Sequence, residues 1–336
     1  MGERLAGSQK VRGSNPLSSI SIEMMSAAEA TRGELAWLDG RTIPRGEFAV
    51  PAGDAGFVLG ATVTEQLRTF RGKLFLPDDH GRRLAESLEV VGIDLAWPIA
   101  DLLAAATDIA AHNHRLGAAD DDLGLVIFAT PGDLAAQHGG RSGRPRVAIH
   151  TFPLAFSMWA DAFDQGVAIR TVAVTQVPES CWPLKAKVRS RLHYHLADRE
   201  AHAAEPGARA ILAHADGRIS ETSTANVAVV KDGTVKTPPA SDALGGVSLA
   251  CAMRLARSLG IGWHERSLTA DDLANADEIL LTSTPSCILP ATAFNGRDVG
   301  VGRPGPMFRA ILAAWSDLVG LDIAAQAHRH RRRAIS

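Results

Sequence analysis

The chain has 336 residues, more than the usual single domain, so two domains with separate cores are the default expectation. Its 35 Lys and Arg nearly balance 37 Asp and Glu, which excludes a global field for gripping nucleic acid or an anionic membrane and points to a small-molecule ligand. Cys181, Cys251 and Cys287 are too few and too scattered for a disulfide framework or a metal cage, and no apolar run approaches the ~20 residues that span a bilayer, so the chain reads as soluble and cytoplasmic.

Residues 1–32 begin with a polar, Ser- and Gly-rich stretch that lacks a signal-peptide hydrophobic region and precedes Met24 and Met25. They read as a disordered extension or an over-long start. From Leu35 short apolar runs broken by DG and RG turns, AWLDGRTI and GEFAVPAGDAGFVLGATVTEQLRTFRGKLFL, predict hairpins. Asp79 to Val90 has helical spacing with Leu84, Leu88 and Val91 on one stripe, and a second helix is predicted over Pro98 to Leu116. LGLVIFAT and RVAIHTFPL read as buried strands that complete a smaller α+β domain over 33–153. Residues 154–164 have no clear period and are assigned as an interdomain linker.

A larger α/β domain is predicted over 165–323. It opens with the strand GVAIRTVAV, enters a helix at RLHYHLADREAHAA, and continues in strands ARAILAHADGRIS and ANVAVVKDGTVKTPP around two DG turns. A Gly-led helix GGVSLACAMRLARSLG, a strand GIGWHERSL, a short helix ADDLANA, a strand DEILLTST and a final helix PMFRAILAAWSDLVG follow. Residues 324–336, ending HRHRRRAIS, read as a solvated basic tail. GVGRPG at Gly300 fits the dinucleotide pattern, but its prolines and the missing βαβ unit argue against that use. His193, His195 and His202 cluster by count without an acid or cysteine partner, so no metal site is expected.

Five runs stand out for chemistry. LPDDHGRRLAESL places the Arg82 and Arg83 pair after a histidine, and KVRSRLHYHLADREA holds Lys187 in the irregular lead-in to a helix, where an ammonium can face a cleft. RISETSTANVAVVKDGTVKTPP carries Glu221, Ser223 and Asn226. LGGVSLACAMRLARSLG sets Gly245, Gly246, Val247 and Ser248 at a helix start, where unpaired N–H groups and the helix dipole bind phosphate. LLTSTPS puts Ser283 and Thr284 after a buried strand, where small hydroxyl residues suit a phosphate oxygen.

Taken in order from Trp37 to Leu318, these runs resemble the class IV aminotransferases. Lys187, Leu192, Glu200 and Ala201 match the family's lysine segment, and the spacing to Leu192 favours Lys187 over Lys185. The resemblance implies a two-domain D-amino acid aminotransferase-like architecture, the fold type IV of pyridoxal-phosphate enzymes, and a homodimer. It implies pyridoxal 5'-phosphate bound as a Schiff base to Lys187, with Glu221 beside the pyridine nitrogen and Gly246, Val247, Ser248, Ser283 and Thr284 around the phosphate. Arg83 would reach the phosphate across the domain boundary while Arg82 stays at the surface. The implied reaction moves an amino group between an amino acid or amine and a 2-oxo acid.

The opening segment, with Asp54, Gly56, Gly60, Glu65, Arg68 and Gly72, implies a wall of the substrate pocket. Leu59 and Thr64 stand there in place of the family's aromatic residues, and Tyr194 is the only tyrosine. By the resemblance Arg191, just before Leu192, would stand at the cofactor's edge, as in members resembling aminodeoxychorismate lyase, and Leu249 replaces an arginine usual after the phosphate cup. A pyruvate-releasing lyase and a degenerate cofactor-binding protein are the alternative expectations.

Overall fold

The computed structural model describes residues 33–332, so the extension over 1–32 and the end of the basic tail lie outside the described residues. An antiparallel sheet is built from β1 (Leu35–Leu38), β2 (Arg41–Pro44), β3 (Val63–Phe70), β4 (Lys73–Leu74), β5 (Leu123–Thr130) and β6 (Arg146–Pro153), in the order β2-β1-β6-β5-β3-β4. Ahead of β3 a single turn, α1 (Ala55–Val58), is capped by buried Asp54, whose Oδ1 accepts from the Gly56 N–H at 2.7 Å.

Helices α2 (Pro77–Val91) and α3 (Ile99–His114) cover one face of this sheet. Leu84 and Leu88 of α2 and Leu102, Ala106 and Ile109 of α3 recur at helical spacing, while Val63 and Leu67, Leu125 and Ile127, and Val147 and Ile149 recur every second residue, so both periodicities converge on one core. Glu65 falls between Val63 and Leu67 on the same inward face, and that register leaves its carboxylate fully buried.

The second sheet contains β7 (Val167–Thr171), β8 (Arg209–Ala213), β9 (Ile219–Thr222), β10 (Asn226–Lys231), β11 (Thr234–Thr237), β12 (Trp263–Glu265), β13 (Glu278–Ser283), β14 (Cys287–Phe294) and β15 (Arg297–Asp298). Its order is β12-β11-β10-β13-β14-β7-β8-β9, with β15 on β14. A further pairing of Asn226 with Glu221 joins β10 to β9, so the six strands from β10 to β9 form a closed ring. Between β6 and β7 lies the short helix α4 (Ala162–Gln165). The parallel pair β7 and β8 is linked by the crossover helix α5 (Leu192–Ala204), as a parallel pair requires. Helices α6 (Val247–Ser258), α7 (Ala270–Ala274) and α8 (Pro306–Val319) follow, and Ala252, Ala256, Phe308, Ile311 and Trp315 pack with the apolar residues of β10, β13 and β14. No helix among the described residues is long and apolar enough to cross a membrane.

Three segments differ from the sequence reading. Residues 154–164 are not a free linker: Leu154, Phe156, Ala160, Ala162 and Phe163 are buried in the second core, at an irregular spacing set by a 3-10 turn and α4, which leaves no period to read. Strand β14 had no counterpart in the expected elements, because Pro290, which cannot donate to the ladder, stands in the middle of a central strand. The supposed basic tail is helical over α9 (Ile323–His330), with Ile323, Gln326 and Ala327 buried. Asp120 and Asp161 receive Arg329 and Arg331, and Asp164 lies beside His328, so the basic charge is partnered on the protein's own surface.

Candidate active site

The segment Lys187–Arg189 runs extended beside β3. Thr64 N–H donates to the Lys187 carbonyl and Arg189 N–H to the Thr62 carbonyl, both at 2.9 Å, with Val188 opposite Val63. The Lys187 N–H also donates to Ser87 Oγ of α2 at 3.0 Å. Strand-like alternation sends Lys187 and Arg189 to the same side, into a cavity between the two sheets. Lys185 is exposed and lines no part of it. Burial, then the neighbouring Arg83 charge, pushes the Lys187 ammonium down to about 8.

Glu221 is the penultimate residue of β9, where the ring of strands closes, and both of its oxygens are held. The Tyr194 hydroxyl donates to Oε1 at 2.6 Å and the Asn226 amide to Oε2 at 3.1 Å. Burial raises the Glu221 carboxyl, while the Tyr194 hydrogen bond and the Lys187 charge oppose that rise. Burial and then the Glu221 charge keep the Tyr194 hydroxyl protonated far above its ordinary value. Gln176 Nε2 donates to the Tyr194 oxygen at 3.1 Å, and the Arg191 guanidinium lies 4.5 Å over the Tyr194 ring while donating to the Ser223 carbonyl.

At the opposite wall, Gly246 precedes the first turn of α6, and Val247, Ser248, Ser283 and Thr284 face the cavity that also holds Lys187, Glu221, Arg83 and Arg191. Arg83 spans the two sheets' territories: its Nε donates to Glu65 Oε2 at 3.0 Å and its Nη1 to the Gly245 carbonyl at 2.9 Å. Glu65 also meets His80 Nδ1 at 2.7 Å. Although burial alone would raise it, Arg83 and His80 hold the Glu65 carboxyl down at about 2.

Three features suit these residues to a bound phosphate-bearing group. Thr282 Oγ1, buried and without a hydrogen-bond partner, lines the cavity between Glu221 and the α6 turn. A Cβ on Gly246 would stand 1.8 Å from Asn226 Oδ1, so the backbone there must approach closely without a side chain. The open helix start, with no side chain capping it, offers N–H donors to a phosphate.

Thr64 lines the outer chamber of about 750 Å³ in front of Lys187. Two other residues assigned to the substrate wall do not reach it. Leu59 is 63% exposed on the loop after α1. Arg68 is 1% exposed, with its guanidinium committed to the Pro285 carbonyl at 2.6 Å and Gln326 Oε1 at 3.0 Å. It faces inward because β3 sets it against the second sheet and α9. Sequence reasoning left Tyr194, Gln176, Thr282 and His80 out of the site, named Asn226 without a role there, and gave Glu65 only as part of the substrate wall. Glu65 had a readable signal, an acid at an apolar-period position, whereas the Tyr194 contact joins residues 27 apart. His193 stacks at 4.0 Å on Tyr194, and His195 and His202 line the outer chamber.

Comparison with known proteins gives a consistent answer. The model of the family "Amino-transferase class IV" matches residues 62–294. A D-alanine aminotransferase of Bacillus licheniformis is 30% identical over 279 residues, 82% of this chain and 94% of that protein. A branched-chain amino acid aminotransferase of Escherichia coli superposes with a TM-score of 0.78 at 26% identity, covering 86% of this chain and 95% of that one. A branched-chain amino acid aminotransferase from T.th., solved in complex with N-(5'-phosphopyridoxyl)-L-glutamate, shares the fold at 22% identity and a TM-score of 0.76, over 86% of this chain and 95% of its own. With the family model matched across both sheets and relatives aligned over most of its length, the chain belongs to the class IV aminotransferases.

Proposed function

We propose that this aminotransferase holds pyridoxal 5'-phosphate at Lys187 and moves an amino group from an amino acid to a 2-oxo acid. The observation that carries the reading is a single cavity lined by an amine with a lowered pKa, a buried carboxylate and an open helix start: Lys187, Glu221 and the Gly246–Ser248 turn. When bound, the cofactor supplies a carbonyl for amine exchange and an electron-accepting ring.

The chain's own residues supply the rest. Lys187 tethers the cofactor and, once displaced, carries a proton to and from the substrate's α-carbon. Its lowered pKa leaves a larger neutral fraction near pH 7 than an ordinary lysine has. Glu221, aligned by Tyr194 and Asn226, would stand beside the ring nitrogen and favour its protonated form by charge pairing. The first turn of α6, with Ser248 and Thr284, would hold the phosphate, and Arg83 adds positive charge while fixing the Gly245 carbonyl. Arg191 lies over Tyr194 at the mouth, where it meets the substrate or the cofactor's edge.

Borohydride reduction of the purified protein followed by peptide mapping tests this reading: a pyridoxyl group is expected on Lys187, and amino donors should convert the bound cofactor to its amine form. In Lys187→Ala both signals vanish while the folded circular-dichroism spectrum remains. A colourless protein with no pyridoxyl label overturns the cofactor assignment. Pyruvate release without any oxo-acid acceptor, and no amine form with any donor, overturns transfer in favour of a lyase.

A further inference from the structure

Arg191, the N-cap residue of helix α5, and His195, Arg199 and His202 within it follow at steps of four, four and three residues, the spacing of one helical face. All four line the outer chamber, together with Arg189 from the Lys187 segment and Arg209 at the start of β8. Among the described residues, the single carboxylate lining that chamber is Asp198, whose Oδ1 already accepts from the Ala210 N–H at 3.3 Å. Arg189 packs 4.9 Å from the Phe128 ring centroid. Among the described residues, neither it nor Arg199 has an ion pair or a side-chain hydrogen bond with the protein. Burial lowers the Arg209 guanidinium, and the nearby Asp198 only partly opposes this. Arg189, His195, Arg199 and His202 are exposed and Arg191 and Arg209 half-buried, so the chamber presents a positive field to solvent that attracts an anion entering it.

The charge is also extended. From Arg191 to Arg199 the stripe advances about 12 Å along the helix axis, at a rise of about 1.5 Å per residue. A stripe of that length is longer than a short dicarboxylic acid and suits an acid whose charged ends lie several carbons apart. We propose that the α5 stripe is a recognition site for an anionic group at the far end of an elongated substrate, a carboxylate or a phosphate carried several carbons from the reacting centre. Arg189, on the same side as Lys187, takes the carboxylate next to the reacting carbon, and Arg199, with His202 and Arg209, takes the distal group. The assignment rests on Lys187 as the reacting amine for the direction of the substrate, but the anion site itself does not depend on turnover.

Equilibrium binding therefore tests it on the full-length purified protein. Titration calorimetry with octanoate, suberate and 8-phosphonooctanoate compares one chain length with a neutral, a carboxylate and a phosphonate end. At low ionic strength one or both of the doubly anionic ligands should bind at least tenfold more tightly than octanoate, and added salt should shrink the advantage. A gain confined to suberate assigns the site to carboxylate tails, and a gain confined to the phosphonate assigns it to phosphate tails. In Arg199→Gln the advantage should fall about tenfold, with Arg199→Lys recovering part of it. Equal affinity for the three ligands, or an Arg199→Gln variant that weakens octanoate as much as the doubly charged ligands, overturns the proposal. Either result stands whether or not pyridoxyl labelling finds Lys187, so the two readings fail separately.

Discussion

Lys187 is tuned by its surroundings in a way that spacing along the chain does not express. Its amine sits among Arg83 and Arg191, with Glu65 and Glu221 on the other side of the balance, and burial outweighs both carboxylates. A lysine whose folded pKa is about 8, below the ordinary 10.5, is protonated at a cost in the folded state. That cost is fully present below pH 8 and is relieved between about 8 and 10.5, where the unfolded chain still holds the proton and the folded chain has released it. The cofactor-free protein should gain stability at this residue over that window. The rate at which it captures added pyridoxal phosphate, followed by absorbance, should rise with pH and level off above about 8. A rate that keeps climbing to pH 10 would show an unperturbed lysine. Lys187 was legible from its run of residues, but the arginines that lower its pKa come from α2 and the start of α5.

At the scale of the element, the turn into α6 shows how a glycine can be required by a neighbour. Asn226 is held by Glu221 and by the Leu244 carbonyl, so its amide cannot swing away from a methyl group at residue 246. Gly246→Ala should displace the cup and weaken cofactor binding by at least tenfold, consistent with the ~1–3 kcal/mol cost of overpacking a tight site. Gly245→Ala meets nothing within 4 Å and is the matched control. Fluorescence titration with pyridoxal phosphate separates the two. Equal losses in both variants would mean that the glycines serve only the flexibility of the loop. Most strands and helices could be read from their periods, since Leu123–Thr130 and Pro306–Val319 present uninterrupted patterns. β14 and α9 escaped because Pro290 and a run of basic residues mask the apolar positions that bury them.

Across the whole molecule, a buried polar network ties α9, the first sheet and the turn after β13. Gln326 Nε2 donates to Asp122 Oδ2 at 2.7 Å and its oxygen accepts from Arg68, which in turn holds the Pro285 carbonyl beside Thr284. Gln326→Ala removes one partner from a buried cation and one from a buried anion. It should cost about 3 kcal/mol, read as a lower urea midpoint with an unchanged slope. An unchanged midpoint would show that Arg68 and Asp122 find other partners. Arg68 thus acts in how the two sheets meet, behind the turn that carries Thr284.

Most of the helices and strands, and the runs that carry Lys187 and Glu221, could be read from the sequence itself, because periodicity and short motifs are local properties that survive without knowledge of the fold. Which groups meet was decided only in three dimensions. Arg83 finds both Glu65 and the Gly245 carbonyl, Tyr194 finds Glu221, and the closure of β9 on β10 holds Glu221 beside Asn226. These contacts set the pKa values and the shape of the cavity. They join residues brought together by strand pairing and burial, whose energies depend on the packed surroundings and leave no spacing to read along the chain.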